Sequence, residues 1–177
     1  MSNFTQGKLS IKTLSLWDEN ARFPDIYFKK TEEELVDYFV SEQGFKIYEF
    51  AKEVVNEFDL PQIEKLVVLD LNNRKIVLEG NRRLTVYKLL ANPEIASNEN
   101  VRSRFRELKK RIQINSDFRL ECIITEDKDS GLRFVERKHL KSNNEIPWGD
   151  NERAHHNARM GNARKKELLK VAITEKI

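Results

Sequence analysis

The run Gly80-Asn81-Arg82-Arg83 holds the residue types and spacing best suited to chemistry in this sequence. Before it, Lys75 to Leu78 is β-prone. After it, Leu84, Tyr87, Leu90 and Ala91 recur three or four residues apart, the spacing of an apolar helix stripe. Gly80 is therefore expected to be a sharp passage from strand to helix, with Asn81, Arg82 and Arg83 opening the helix. The first N–H groups of a helix lack intrahelical partners, and the helix dipole places partial positive charge there. Glycine leaves the backbone open to a ligand. Two arginines in a first turn are unfavourable for an isolated helix, whereas a bound anion would reverse that cost. Arginine is also the side chain best shaped to grip phosphate oxygens in pairs. The chemistry expected of Gly80, Asn81, Arg82 and Arg83 is phosphate binding. The plain alternative is a Gly-terminated strand followed by a helix with two solvated arginines.

Other residues offer chemistry of a weaker kind. Across Val101 to Ile112, the residues Val101, Phe105, Leu108 and Ile112 line one helical side. The opposite side carries Arg102, Arg104, Arg106, Lys109, Lys110 and Arg111 against the single acid Glu107. Such a face is either a nucleic-acid footprint, with Arg102, Arg106 and Lys109 as its DNA contacts, or a solvated surface. Glu136, Arg137 and His139 fall within one turn of a helix expected from Asp129 to Lys141, and a surface ion-pair turn explains them equally well. His155 and His156 are adjacent, so they diverge around a helix and make a poor chelating pair. Cys122 is the only cysteine, which excludes an intramolecular disulfide framework and a cysteine-based zinc site. It falls in an expected strand, Phe118 to Thr125, and reads as a buried, inert small hydrophobe.

Three stretches resemble the ParB/sulfiredoxin superfamily, in the same order along the chain. The strand, Gly-x-Arg-Arg, helix pattern at Gly80 is similar to the central box, where ParB members carry Gly-Glu-Arg-Arg. Leu16 to Pro24 resembles the family's first strand and its Asn-Pro-Arg segment, with Ala21 replacing the proline. Glu136 to Ala154 resembles the third box, which opens Glu-Asn; here Arg137 replaces that Asn. Together they span roughly residues 9 to 155. The resemblance implies that Arg22 reaches a ligand at the central site, with simple solvation as the other reading. It also implies that Glu136 serves as the catalytic and metal-holding acid, and that CTP or ATP binds with Mg²⁺. Sulfiredoxins place a catalytic cysteine directly after the box glycine. Asn81 stands there instead, so thiol-phosphate repair is not expected. The helix-turn-helix module of partition proteins would need more residues than follow Ala154.

These residues must be positioned by elements that the pattern also supplies. Leu66 to Leu69 and Lys75 to Leu78 read as two strands joined by an Asn72-Asn73 turn, since asparagine tolerates positive φ. Lys8 to Trp17 alternates apolar and polar as one strand, bulged near Lys12-Thr13, and Asn20 to Pro24 leaves it as a loop. Thr31 to Glu34 is a capping box opening a helix with Leu35, Tyr38 and Phe39 inward. A second helix is expected from Lys46 to Phe58. Asn92-Pro93 breaks the chain, and Glu94 to Asn100 reads as a polar connection. Ser142 to Asp150 is expected as a loop anchored by Trp148, before a long polar helix from Asn151 to about Ile173, weakest at Gly161-Asn162.

The fold class expected is α/β (α+β), a small mixed sheet flanked by helices. Residues 1–154 would form the ParB/sulfiredoxin-like domain and 155–177 a helical extension, of either a single-domain relative or the N-terminal piece of a longer protein. At 177 residues the chain is long enough to bury a core, and 34 % charged against 39 % hydrophobic residues is an ordinary polar mixture. A net charge of +3 gives no whole-molecule attraction to nucleic acid. No secretion signal and no long apolar run appears, so no membrane partner is expected and the cytoplasm is the default compartment. The leading expectation is a nucleotide-binding domain acting as a slow NTPase switch in a DNA-associated, mobile-element or phage-defence protein. The alternatives are a DNA-binding or nuclease module on the basic helix, and a protein-interaction domain with a vestigial site. A second copy of the chain is a further candidate partner.

Overall fold

The computed structural model describes residues 3–141 and 149–160. Its centre is a five-stranded mixed sheet of β1 (Phe4–Ser10), β2 (Leu14–Leu16), β3 (Leu66–Leu71), β4 (Arg74–Glu79) and β5 (Arg119–Thr125), in the order β1-β5-β3-β4-β2. Helices α1 (Glu32–Ser41), α2 (Ile47–Asn56), α3 (Asn81–Ala91), α4 (Glu99–Lys109), α5 (Lys128–Lys141) and α6 (Asp150–Arg159) surround it. The expected mixed α/β class is what the molecule shows. No helix among the described residues is long and apolar enough to cross a membrane.

The sheet is buried on both faces, which is why Leu66 to Leu69 is apolar without alternation. Leu66 and Val68 point into a large core with Val77, Leu84, Phe39, Val55 and Phe105 beneath α1 to α4. Val67 and Leu69 point the other way, into a smaller cluster with Trp17, Leu78, Leu132 and Val135 beneath α5. At the β3–β4 turn both Asn72 (φ 53°) and Asn73 (φ 60°) adopt the left-handed conformation that a tight two-residue hairpin requires. Thr31 caps α1 as expected, accepting from the Glu34 N–H at 3.3 Å, while its hydroxyl donates to the Glu34 carboxylate at 3.1 Å.

The single strand expected over Lys8 to Trp17 is instead two strands on opposite edges of the sheet. β1 runs antiparallel to β5, and β2 runs parallel to β4. The break at Ile11–Thr13 is a 3-10 turn, in which Ile11 is fully buried and its N–H donates to Phe118 O at 2.9 Å. Four strand spacings would separate the edges of a flat sheet by ~19 Å. A turn of this length advances only about 8 Å. The sheet must therefore curl until its edges approach each other. The slipped alternation at Lys12-Thr13 marks this crossing and not a bulge.

Two helix limits also differ from expectation. α4 begins at Glu99, inside the stretch read as a connection, because Asn98 caps it by accepting from the N–H groups of Asn100 (2.9 Å) and Val101 (3.2 Å). α6 runs unbroken through residues 154 and 155, so the expected division between domain and extension falls within a helix. Trp148, and the expected continuation of this helix past Met160, lie outside the described residues.

Candidate functional site

The junction between β4 and α3 forms where the sequence placed it. Gly80 has φ 101° and ψ 20°, and no side chain caps the helix that follows. The structure adds a reason for glycine that the sequence did not supply. A Cβ on Gly80 would strike the Leu66 side chain, so the missing side chain makes room for the core. A register shift in the β3–β4 pairing beside Val67 and Val68 disturbs the alternation just before this junction. Leu78 packs into the α5 cluster, and the next residue, Glu79, also reaches α5, with Oε2 at 2.6 Å from His139 Nε2.

Asn81 is buried, and both ends of its amide are used inside the fold. Its Oδ1 accepts from Trp17 N–H at 2.9 Å, and its Nδ2 donates to Val77 O at 2.8 Å. Only its backbone can serve a ligand; the side chain ties the Trp17 segment to the end of β4. Arg82 and Arg83 are not the solvated pair of the plain alternative. The Arg82 guanidinium lies over the Phe50 ring at 4.4 Å and donates to Phe45 O and Lys46 O. Arg83 lies over the same ring at 5.4 Å and donates to Glu64 O at 3.3 Å. These bonds fix both arginines while leaving most of their N–H donors uncommitted. Burial lowers the pKa of Arg82; Glu53 and Glu49 oppose that, and the nearby Arg22 and Arg83 push it further down. Three cations thus gather where the helix already carries positive potential.

Arg22 arrives on the Asn20 to Pro24 loop. Its side chain is 13 % exposed, with Nη1 at 3.4 Å from Glu152 Oε2 on α6. The loop is itself gripped by α6: Arg159 donates to Asn20 O, Phe23 O and Asp25 Oδ1, each at 2.6 Å. Glu136 accepts from or pairs with His156 Nε2 at 2.9 Å, and His156 packs edge-on against Trp17. Glu136, His139, Leu140, Arg153, His156 and Asn157 line a cleft of about 140 Å³ between α5 and α6. His155 turns away toward Phe23, Asp25 and Arg159, as adjacent helix positions must. Among the described residues no group of three or more His, Cys, Asp or Glu side chains is arranged to hold a metal ion. A Mg²⁺ carried in by phosphates needs fewer protein ligands than that, since it keeps several waters. Glu136, the acid expected to hold a metal ion, has its Oε1 already against His156 Nε2 at 2.9 Å.

The chain matches no family model, no curated protein and no solved structure.

The basic face of α4 changes character in three dimensions. Arg106 pairs with Glu94 (2.7 Å) and Glu99 (2.9 Å), and Arg102 bonds to Glu99, Ala96 O and Ser97 O. Lys109 donates to Ala91 O at 2.7 Å, Lys110 pairs with Glu107, Arg111 bonds to Asn56, and Arg104 lies over Tyr48. All six bases have partners within the chain. Glu94 and Glu99 lie just outside the window in which only Glu107 was counted, which is why the sequence made this face look unopposed.

Residues the sequence reading did not single out complete the site: Glu79, Phe50 and Glu152. Glu79 adjoins Gly80, and Glu152 lies in the Glu136 to Ala154 stretch set out above, so both carried a signal. Phe50 lies within the helix expected from Lys46 to Phe58, and its place beside the arginines carried no signal.

Cys122 is 1 % exposed and its thiol donates to Leu120 O at 3.3 Å. Burial pushes the thiol pKa up to about 11. At pH 8 only about one molecule in a thousand would carry the reactive thiolate. A thiol reagent should therefore modify the native protein at least tenfold more slowly than the urea-unfolded chain. Equal rates would show that this strand is open in solution.

Proposed function

We propose that the protein binds the triphosphate of CTP or ATP at the N-terminus of α3, in the manner of a ParB-like nucleotide switch. The observation that carries this reading is the gathering of Arg22, Arg82 and Arg83 around a helix N-terminus that no side chain caps. Three half-buried cations beside a positive dipole are costly together, and a phosphate chain offsets that cost. The arginines are held in place before the ligand arrives, so little side-chain entropy is lost on binding. Backbone N–H groups of α3 would take phosphate oxygens, with Arg82 and Arg83 clamping from one side and Arg22 from the other. Glu136 is the residue that the ParB resemblance assigns to Mg²⁺, which would supply further neutralisation of phosphate charge. Hydrolysis in such a site rests on positioning and charge neutralisation, with water as the nucleophile.

A DNA-binding or nuclease role on α4 has less support, because its bases are already partnered within the chain. No observation favours the interaction-domain reading.

Arg83→Ala is the cleaner test of the clamp, since Arg83 donates to a single backbone carbonyl. A charge-assisted phosphate contact is worth roughly 1.5–3 kcal/mol, so triphosphate affinity should fall about tenfold or more while the fold persists. Calorimetry of the common nucleoside triphosphates with Mg²⁺ decides the matter. If the wild type binds none of them at millimolar ligand, the cradle reading is wrong.

A further inference from the structure

The loop that brings Arg22 toward α3 is clasped from its other side by α6, and the contact α6 offers Arg22 is an acid. Glu152 Oε2 lies 3.4 Å from Arg22 Nη1, beyond ordinary N–H···O hydrogen-bond length. That oxygen is buried and has no hydrogen-bond partner among the described residues. The pair is thus matched in charge and poor in geometry. Elsewhere α6 meets the same loop with well-formed bonds, Arg159 reaching three oxygens at 2.6 Å. The weak contact at Arg22 is therefore not explained by a loosely seated helix. Burial raises the pKa of Glu152, and Arg22 opposes the rise most, helped by the Gly149 N–H, His139 and Arg153. Arg22 also lowers the pKa of Arg82, which places it within electrostatic range of the α3 site.

We infer that Glu152 is an internal counter-ion that competes with the bound phosphate for Arg22 and so sets the affinity of the site. The inference rests on the phosphate-binding reading above and goes beyond it by naming the residue that opposes the ligand. A phosphate oxygen can approach a guanidinium at hydrogen-bond length and in pairs, which Glu152 does not. Binding therefore exchanges a poor anion for a better one. The ligand must offset the cost of drawing Arg22 away from the half-buried Glu152.

The test uses the full chain and inorganic tripolyphosphate as probe, titrated by calorimetry into wild type, Glu152→Gln, Arg22→Ala and the double variant. Thermal melting of each confirms that it is folded. Glutamine keeps the shape of Glu152 and removes its charge, so Glu152→Gln should bind tripolyphosphate about fivefold more tightly, the scale of a partly exposed ion pair. Arg22→Ala should bind more weakly, and in that background Glu152→Gln should change affinity little, because the contested cation is gone. Tightening of the same size with and without Arg22 would show a general field effect and overturn the inference. Unchanged or weaker binding by Glu152→Gln, in a protein whose wild type binds, would also overturn it while leaving the cradle standing. No binding by the wild type would remove both.

Discussion

Gly80→Ala is expected to destabilise the protein by on the order of 4 kcal/mol, a large part of the stability of a typical domain. Two independent costs act at this position. At φ 101° an alanine is forced into backbone space that essentially only glycine occupies. The new methyl also collides with the Leu66 side chain, a fully buried residue on the central strand. Leu66 cannot step aside easily, because Val68, Val77 and Leu84 fill the same core. A second substitution separates the two costs. Leu66→Ala alone leaves a cavity, but combined with Gly80→Ala it removes the collision while the backbone strain stays. The double variant should therefore lose less than the sum of the two single losses. Urea denaturation of all four proteins measures this. A Gly80→Ala loss under about 1 kcal/mol would mean that the junction is not held as described.

Asn81→Ala should cost about 3 kcal/mol, because it strips partners from two buried main-chain groups at once. Trp17 N–H and Val77 O both lie beside residues with almost no exposure. A methyl group offers neither an acceptor nor a donor, and no water is expected to enter so tight a space. The local signature matters as much as the total. In native-state hydrogen exchange the Trp17 amide should be protected in the wild type and exchange much faster in Asn81→Ala. If that amide exchanges as slowly in the variant, another acceptor serves Trp17, and the tie between this segment and β4 is not the one described.

The hairpin at Asn72-Asn73, the Thr31 cap and the passage into α3 were legible because each depends on a few neighbouring residues. Turn chemistry, capping and the change of period are local properties. The edge crossing at Ile11–Thr13 was not, because the partners of β1 and β2 lie far along the chain. One alternating stretch looks the same whether it meets one neighbour or two. The internal role of the Asn81 side chain was hidden for a related reason. A polar residue after a box glycine resembles a ligand contact, and the need of Trp17 N–H for an acceptor is invisible until the fold brings them together. Arg82 and Arg83 were found by type and spacing, yet their seat on Phe50 depends on how α2 packs. Counting charge along one helix failed for the face of α4, since acids beyond its apolar window fold back upon it.

The pairing of β1 with β5 also governs how the molecule assembles. Lys8 and Arg119, joined by a hydrogen bond, lie 111 residues apart. Contacts of such long range lower folding rates far more than they lower stability, because the chain must close a large loop before any pairing energy is gained. β3, β4 and α3 can form from nearby sequence, while β1 must wait for β5. Until it docks, the outer side of β5 is an unpaired strand edge with Leu120, Cys122 and Ile124 along it, open to the same strand of another molecule. Expression at high concentration should therefore favour mispairing along β5, and slow synthesis or dilution should favour the native pairing with β1.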